Sequence, residues 1–309
     1  MNLVVLVLSL AAVISFGDRL VKSVLRFSRV SGISELASGF ILVSVATSAP
    51  ELAVAVISGL EGDPLLSAGN IFGSNVANIL LIMGLTLALV PVSFGREDRK
   101  EASVMVWTSV LVSIPVILIQ VWWAYGLFCL YLFYAFCRRT VKAGYGLERR
   151  KPRIRGLKSL ETVKSALSCL FYTSALVLAS KFVVSSAVSL AEEMGIPESV
   201  IGGSLIGLGT SLPELSVALA AARRSTGILI GDVLGSVLTN STLVLGFTLL
   251  ASPVSLDAAT RAMAVVSGLS GPAFLCLMNR GRAAGIAMVA AYLAFAGLLY
   301  LRFSPGLTL

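Results

Sequence analysis

The sequence predicts an all-α integral membrane protein of ten transmembrane helices, built as two inverted-topology repeats of five with helices 2 and 7 broken. The composition, the distribution of basic residues and a motif that occurs twice predict this fold class. Hydrophobic residues make up 57% of the 309 residues and charged residues only 13%, whereas a soluble domain carries about 25% charged residues. At roughly 20 residues per span, this length accommodates about ten spans with short connections.

The basic residues lie in alternate connections of the predicted fold. Of the 24 Lys and Arg residues, 21 lie in five short segments, at 18–29, 96–100, 138–164, 223–224 and 280–282. Cytoplasmic connections of membrane proteins carry such an excess of Lys and Arg. We therefore expect these segments to be cytoplasmic and both termini to lie outside the cell membrane. The same pattern explains the net charge of +8 without a nucleic-acid partner.

Apolar runs predict the ten spans in chain order. The first five cover about 2–21, 35–60, 65–92, 102–120 and 125–136; the last five cover about 166–190, 198–222, 228–251, 258–277 and 284–301. The first run has no basic segment before it and leads into further spans, so we interpret it as the first span and not as a signal peptide. A basic linker, 138–164, separates the first repeat (1–137) from the second (165–309).

Two similar motifs interrupt spans 2 and 7. Residues 46–51 are Ala-Thr-Ser-Ala-Pro-Glu, and residues 209–214 are Gly-Thr-Ser-Leu-Pro-Glu. Proline removes a backbone donor and crowds the preceding turn, so each helix should break beside its glutamate and free backbone carbonyls. A charged side chain at membrane depth costs about 2.5–3.5 kcal/mol and therefore indicates a function. Carboxylate, hydroxyl and carbonyl oxygens together are the ligands of hard cations.

The two motifs occupy equivalent positions of a longer repeat. Glu214 follows Glu51 by 163 positions (214 − 51), and Ser236 follows Ser74 by 162 (236 − 74). Five spans per half place the second half in the opposite orientation, which predicts one ion site between the halves near the membrane midplane. A proline kink relieved by Ser and Thr is the alternative for one motif alone, and interhelical hydrogen bonding is the alternative for the Ser and Asn residues. The predicted donors are Thr47, Ser48, Glu51, Ser74, Asn78, Thr210, Ser211, Glu214, Ser236, Asn240 and the backbone carbonyls near Ser44 and Gly207.

Other polar residues leave alternatives open. Asp232 occupies the repeat position of Asn70 and is predicted to be an ion ligand, a hydrogen-bonding pivot or a proton carrier. Asn70 is likewise predicted to be a pivot or proton-path residue. Asp18 and Lys181 also correspond between the halves, which predicts a structural ion pair or a gating pair. The chain contains no histidine, and its four cysteines form no Cys-x-x-Cys motif. Imidazole metal sites and Ser-His or Cys-His catalysis are therefore excluded, and we expect no cofactor.

The two motifs, with Gly69–Ser74 and Gly231–Ser236, resemble the alpha-repeats of the sodium/calcium exchanger family within the cation/calcium antiporter superfamily. The resemblance is specific over about 32–90 and 195–250. It implies a secondary antiporter, not an enzyme, that exchanges Ca²⁺ for Na⁺ by alternating access, with spans 1 and 6 moving against the others. We expect no obligate protein partner. Glu51 and Glu214 would be the central calcium ligands and Asn78 a central polar ligand; the Ser and Thr hydroxyls would bind Na⁺ or Ca²⁺, and carbonyls near Ser44 and Gly207 would complete the sodium sites.

Three positions depart from the family pattern. Asn240 stands where prokaryotic members often have an acid, Asp232 replaces the usual Asn, and Lys181 stands where an acid is expected. A proton is the alternative coupled ion because a buried carboxyl group can exchange one, although the Gly-Asn-x-x-Glu signature of a proton-coupled relative is absent. An intramembrane protease or a purely structural membrane protein is a remote alternative, since HExxH and Ser-His arrangements cannot form.

Overall fold

A computed structural model describes residues 2–62, 64–147, 160–193 and 211–303 of the chain. Within these ranges the chain is helical apart from short connections and one isolated antiparallel bridge between Val121 and Val254, which confirms the all-α prediction. The described helices are α1 Asn2–Ser31, α2 Glu35–Thr47, α3 Ala49–Glu61, α4 Pro64–Leu89, α5 Arg96–Leu118, α6 Trp123–Leu147, α7 Leu160–Glu193, α8 Leu212–Ala222, α9 Thr226–Ala251, α10 Ala258–Leu277 and α11 Gly281–Phe303.

Many of these helices suit a bilayer. Among the described residues, seven helices are long and apolar enough to cross a membrane, and α2 with α3 forms an eighth candidate span bent by 44°. The break in predicted span 2 is therefore confirmed. The first part of predicted span 7 lies outside the described residues, and α8 is its described part. The count of ten spans and the inverted orientation of the repeats stay predictions.

Helices α1, α5, α6 and α7 extend beyond the predicted spans, and α7 begins at Leu160, inside the predicted linker. Helix α5 starts at Arg96 because its first turn is capped: the Gly95 N–H donates to Asp98 Oδ2 over 2.9 Å, and acids favour a helix N-terminus. Helix α6 continues to Leu147, into the predicted linker. Arg139 of α6 binds both carboxylate oxygens of Glu101 on α5 over 2.9 Å each, and such paired bonds to a carboxylate are strong. The basic linker therefore begins as helix.

Helix α10 has the bounds that were predicted for span 9. Asp257 caps its N-terminus, since Asp257 Oδ1 accepts a hydrogen bond from the Thr260 N–H over 2.8 Å. Hydrogen bonding from the Thr260 side chain, together with this backbone bond, holds the pKa of Asp257 below its usual value. A capping acid of this kind satisfies one of the backbone donors that a helix start leaves free.

The chain divides into two compact units, and each unit contains segments of both sequence halves. The first unit comprises Met1–Thr47 and Thr140–Asp232, and the second comprises Ser48–Arg139 and Val233–Leu309. The boundaries fall inside α6 and α9 and at the break between α2 and α3. The units therefore do not follow the predicted division into two five-helix repeats, which concerns sequence symmetry and stays a prediction.

In the first unit, α1 packs against α7 and α8. Ser216 on α8 donates a hydrogen bond to the Val13 carbonyl over 2.8 Å, and Gly17 lies against the same serine. Large apolar side chains stay exposed along α1 and α7, among them Ile14 at 70% and Phe171 at 64%. Extended exposed apolar surface marks a face for lipid or a partner, and on helices of this length it is the surface expected to meet lipid.

The second unit packs α4 against α3, α10 and α11, and α5 against α10. Its apolar core includes Phe72 of α4 and Leu249 of α9. A hydrogen bond of 2.6 Å joins the hydroxyls of Ser67 on α4 and Thr248 on α9. Such buried hydroxyl pairs are a usual way to connect helices where water is absent.

Candidate ion-binding site

The two predicted breaks have nearly the same backbone geometry. Ser48 precedes α3 with φ −77° and ψ 6°, and Ser211 precedes α8 with φ −93° and ψ 4°. Each helix then carries a proline at its first or second position and a glutamate in its first turn. Each serine carbonyl accepts the first helical bond, from the N–H of Leu52 over 3.0 Å or Leu215 over 3.1 Å. The repeat in the sequence is therefore also a repeat in local structure.

Proline explains why the helices begin at these points. Its missing N–H is not needed at the start of a helix, and its fixed φ suits the first turn. The following glutamates, Glu51 and Glu214, then lie next to free backbone N–H groups at the positive end of the helix dipole, which favours a carboxylate. Both glutamates are buried, with exposed fractions of 2% and 1%.

Around Glu51, several oxygens lack a hydrogen-bond partner. Glu51 Oε1 accepts a long hydrogen bond of 3.5 Å from the Ser74 hydroxyl, whereas Glu51 Oε2 and Ser48 Oγ have no partner although both residues are buried. Buried polar atoms without partners destabilise a fold by about 1–3 kcal/mol each. Such atoms at one place therefore indicate a function that uses them.

The helices packed against α3 carry further oxygens of this kind. Asn78 Oδ1 of α4 and both Ser236 Oγ and Asn240 Oδ1 of α9 are buried without a hydrogen-bond partner. Helices α3, α4 and α9 contact one another within the second unit. Carboxylate and amide oxygens can only accept, so these atoms suit a cation and would repel an anion.

Asn78 and Asn240 lie in π-helical turns. The π segments of α4 and α9 are Ala77–Met83 and Asn240–Val244, and a third, Gly39–Ser44, lies in α2 immediately before the first break. A π-helical turn is a rare feature that occurs mostly at functional sites. These turns therefore support a functional role for the predicted residues that they contain.

The first unit holds the other predicted site residues. Thr47 Oγ1 donates to the Ser44 carbonyl over 3.3 Å, and Ser44, Thr47, Ser211 and Glu214 are all buried. Asp232 is fully buried, and neither of its carboxylate oxygens has a hydrogen-bond partner. Thr210 and Gly207 lie outside the described residues. That Glu51 and Glu214 bind the same ion stays a prediction.

The residue Asn70, at the repeat position of Asp232, differs from it. Asn70 is only half-buried, and its Nδ2 atom has no hydrogen-bond partner. An unpaired amide donor does not suit a cation site. Of these two residues, Asp232 has the more unusual environment, because its charged group is fully buried without a hydrogen-bond partner.

Asp18 has different partners from the one that the repeat predicted. It forms ion pairs with Lys22, over 2.7 Å, and with Arg224, over 2.5 Å, whereas Lys181 is exposed on α7. Lys22 lies one helical turn from Asp18 on the same face of α1, and Arg224 follows α8, which packs on α1. The predicted structural ion pair between Asp18 and Lys181 is wrong, because Lys22 and Arg224 are the cations that pair with this carboxylate. The gating role stays a prediction.

Asn75 and Ser241 were not predicted to belong to the site. Asn75 accepts a hydrogen bond from Asn240 Nδ2 over 3.2 Å and donates one to Ser241 Oγ over 3.0 Å. The repeat offset of 162 makes Val237 the equivalent of Asn75 (75 + 162). Because Val237 is apolar, the repeat gave no reason to predict a polar role for Asn75 or for its partner Ser241. Among the described residues, no three His, Cys, Asp or Glu side chains cluster.

Comparisons with known proteins agree with this geometry. The family profile of the sodium/calcium exchanger protein matches residues 1–139 and 164–301. The chain is 30% identical to the inner membrane protein YrbG of Escherichia coli, with 96% of this chain and 95% of YrbG covered. It is 28% identical to the sodium/calcium exchanger MaX1 of Methanosarcina acetivorans, with 82% and 84% covered.

The fold is also similar to solved structures. The structure of the sodium-calcium exchanger NCX_Mj soaked with 10 mM Na⁺ and zero Ca²⁺ matches with a TM-score of 0.81 and 26% identity, over 95% of this chain and 97% of that one. The structure soaked with zero Na⁺ and Ca²⁺ matches with a TM-score of 0.81 and 25% identity over similar shares. The profile covers most of the chain, and the fold and the repeated glutamate motifs agree with it. This multi-pass membrane protein belongs to the sodium/calcium exchanger family.

Proposed function

We propose that this chain exchanges Ca²⁺ for Na⁺ across the cell membrane by alternating access, as a secondary transporter and not as an enzyme. The observation that carries the proposal is the pair of buried glutamates, each in the first turn of a helix that begins at a Ser-x-Pro-Glu motif. The relative MaX1 is named a sodium/calcium exchanger, and NCX_Mj was soaked with both ions, which supports the same two ions here.

Charge explains why two glutamates suit Ca²⁺. Uncompensated charge inside a membrane protein is costly, and two carboxylates balance one divalent cation. The hydroxyl, amide and carbonyl oxygens then complete the coordination of Ca²⁺ or of Na⁺. Because both ions would use overlapping ligands, they would compete, and that competition would couple their transport. The proposed ligands are Glu51, Glu214, Thr47, Ser48, Thr210, Ser211, Ser74, Ser236, Asn78, Asn240 and the carbonyls near Ser44 and Gly207.

One observation favours a second candidate, the exchange of Ca²⁺ for protons. Asp232 is fully buried and its carboxylate oxygens have no hydrogen-bond partner. An isolated carboxylate in such a place is strongly destabilised unless it is neutralised, and a proton or a cation would neutralise it. Calcium uptake driven by an imposed pH gradient in the absence of Na⁺ would support this alternative.

For the orientation, we propose that both termini lie outside the cell membrane and that the linker 138–164 is cytoplasmic. The five basic segments support this orientation. Spans 1 and 6 would move against the remaining spans during transport.

Purified protein in proteoliposomes loaded with Na⁺ tests the function. We expect uptake of external Ca²⁺ down the imposed Na⁺ gradient, and we expect Glu51→Gln or Glu214→Gln to abolish it, because each removes half of the charge that balances Ca²⁺. Glu35→Gln is the matched control: Glu35 Oε2 accepts a hydrogen bond from Ser225 over 2.6 Å, which the amide oxygen of Gln can also accept. Full uptake by either site variant would remove that glutamate from the proposed site.

A further inference from the structure

We infer that Asn75 is a positioning residue of the proposed ion site. It holds the amide N–H₂ group of Asn240, so that the amide oxygen of Asn240 is the atom left for the cation. The inference rests on the proposed function, and it assigns a role to a residue that is not itself a predicted ligand.

A chain of two hydrogen bonds carries the inference. Asn240 Nδ2 donates to Asn75 Oδ1 over 3.2 Å, and Asn75 Nδ2 donates to Ser241 Oγ over 3.0 Å. All three side chains are fully buried, at 0% exposure. The remaining acceptor at the end of this chain is Asn240 Oδ1, which has no hydrogen-bond partner. The three residues all lie in the second unit, which also contains Glu51 and Asn78.

The orientation of the Asn240 amide matters because its two ends have opposite polarity. The oxygen accepts and can bind a cation, whereas the N–H₂ group donates and would repel one. A rotation of 180° about the last side-chain bond exchanges the two ends at almost no steric cost. In a buried site the neighbouring hydrogen bonds must therefore decide which end meets the ion. Asn75 Oδ1 performs this role because it can only accept and so selects the N–H₂ group of Asn240.

Ser241 is the hydrogen-bond partner of the other end of the Asn75 amide. A hydroxyl can donate or accept, so Ser241 alone does not force the observed direction, and reversal would require all three groups to turn together. The reversed chain would leave Asn240 Nδ2 as the buried atom without a partner. A cation near Asn240 would strongly favour the observed direction, which links Asn75 to ion binding and not only to helix packing.

The test is the calcium dependence of exchange, and of calcium binding by the purified protein, for Asn75→Leu. Leucine has a similar size and no hydrogen-bonding group. Residues that orient a metal ligand typically change metal affinity by 10–100-fold, so we expect the half-saturating Ca²⁺ concentration to rise at least about tenfold while the maximal rate changes little. Asn75→Asp is the conservative rescue: its carboxylate accepts from both Asn240 and Ser241, keeps the Asn240 oxygen free, and should retain tight Ca²⁺ binding.

A second background separates orientation from packing. In Asn240→Asp both ends of residue 240 are acceptors, so the choice of end no longer matters. In that background Asn75→Leu should change the half-saturating Ca²⁺ concentration far less than in the wild type, and Asn75→Asp should become the harmful change because two carboxylates face each other. This reversal between the two backgrounds would not follow from a merely structural role.

The structure also offers a control on the same two helices. Ser67 and Thr248 form a buried hydrogen bond between α4 and α9, and neither hydroxyl lacks a partner. Ser67→Ala should lower thermal stability and leave the half-saturating Ca²⁺ concentration unchanged. If Asn75→Leu does not fold, Ser241→Ala tests the same chain, with a smaller expected rise because Asn75 loses only its anchor.

The outcomes separate the inference from the proposed function. If the wild type neither bound nor exchanged Ca²⁺, the proposed function would fail, and the inference with it. If the wild type exchanged Ca²⁺ and Asn75→Leu bound it equally tightly, the inference alone would be overturned. An equal loss of affinity in Asn75→Leu and Ser67→Ala would overturn it too, because helix packing would then explain both.

Discussion

Gly231→Ala is expected to destabilise the protein strongly, whereas Gly69→Ala is not. The two glycines occupy the same repeat position (69 + 162 = 231), and both belong to Gly-x-x-x-Gly pairs of the kind that let membrane helices approach closely. The structure distinguishes them. A Cβ atom at Gly231 would clash with the Leu36 carbonyl oxygen and lie 2.8 Å from the Phe40 backbone nitrogen, whereas one at Gly69 would meet only Thr260 Oγ1 at 3.9 Å.

The magnitude follows from these contacts. Because the obstacle at Gly231 is backbone, α2 and the start of α9 must separate, and overpacking of this kind costs about 1–3 kcal/mol. We take the upper end, about 3 kcal/mol, and subtract the helix propensity gain of about 1 kcal/mol for Gly to Ala, which leaves about 2 kcal/mol. Gly69→Ala keeps that gain at no packing cost, so the two variants should differ by about 3 kcal/mol.

The assay is thermal unfolding of the detergent-purified variants at one fixed scan rate, since membrane proteins often unfold irreversibly. A change of 1 kcal/mol moves Tm by about 2–4 °C in domains of 150–250 residues. We therefore expect Gly231→Ala to unfold several degrees below the wild type and Gly69→Ala at or above it. Equal unfolding temperatures for the two variants would refute the packing argument.

Two further predictions concern Asp232 and the orientation of the chain. Asp232→Asn should retain sodium-driven Ca²⁺ uptake and raise the unfolding temperature, because the amide keeps the shape of a buried side chain that has no partner and removes its charge; loss of uptake would instead make Asp232 an ion ligand. C-terminal fusions should give active alkaline phosphatase and non-fluorescent green fluorescent protein if the C-terminus lies outside, and the opposite pair of results would reverse the proposed orientation.

Sequence patterns predicted the starts of α3 and α8 well because the Ser-x-Pro-Glu motif acts locally. Pro50 and Pro213 cannot donate a backbone hydrogen bond, and each lies in the first turn of its helix, where that donor is not needed. The bounds of α10 were also predictable, because an N-cap residue and a change in hydropathy mark its start. Helix α5 begins earlier than predicted because Asp98 caps its first turn, and the Arg139–Glu101 pair joins the parts of α5 and α6 that lie beyond the predicted spans. A hydropathy pattern does not show which charged residues make such contacts.

Features that depend on packing between distant segments were not predictable. The repeat made Gly69 and Gly231 equivalent, yet only Gly231 lies against the backbone of another helix. It also paired Asp18 with Lys181, whereas the fold brings Arg224 to Asp18. Asn75 has no counterpart in the second half, so its contact with Asn240 became visible only in three dimensions.

The π turn at Asn240–Val244 has a consequence for how the length of α9 can change. A π turn contains one residue more than the α turn that it replaces, so deletion of one residue there would leave an unbroken α-helix. The residues after the deletion would keep their order in the sequence. Their side chains would, however, be rotated about the helix axis by about 100° relative to Asn240, which is the rotation of one α-helical residue. An alignment of exchangers that ignores such single-residue gaps would therefore match residues that lie on different faces of this helix.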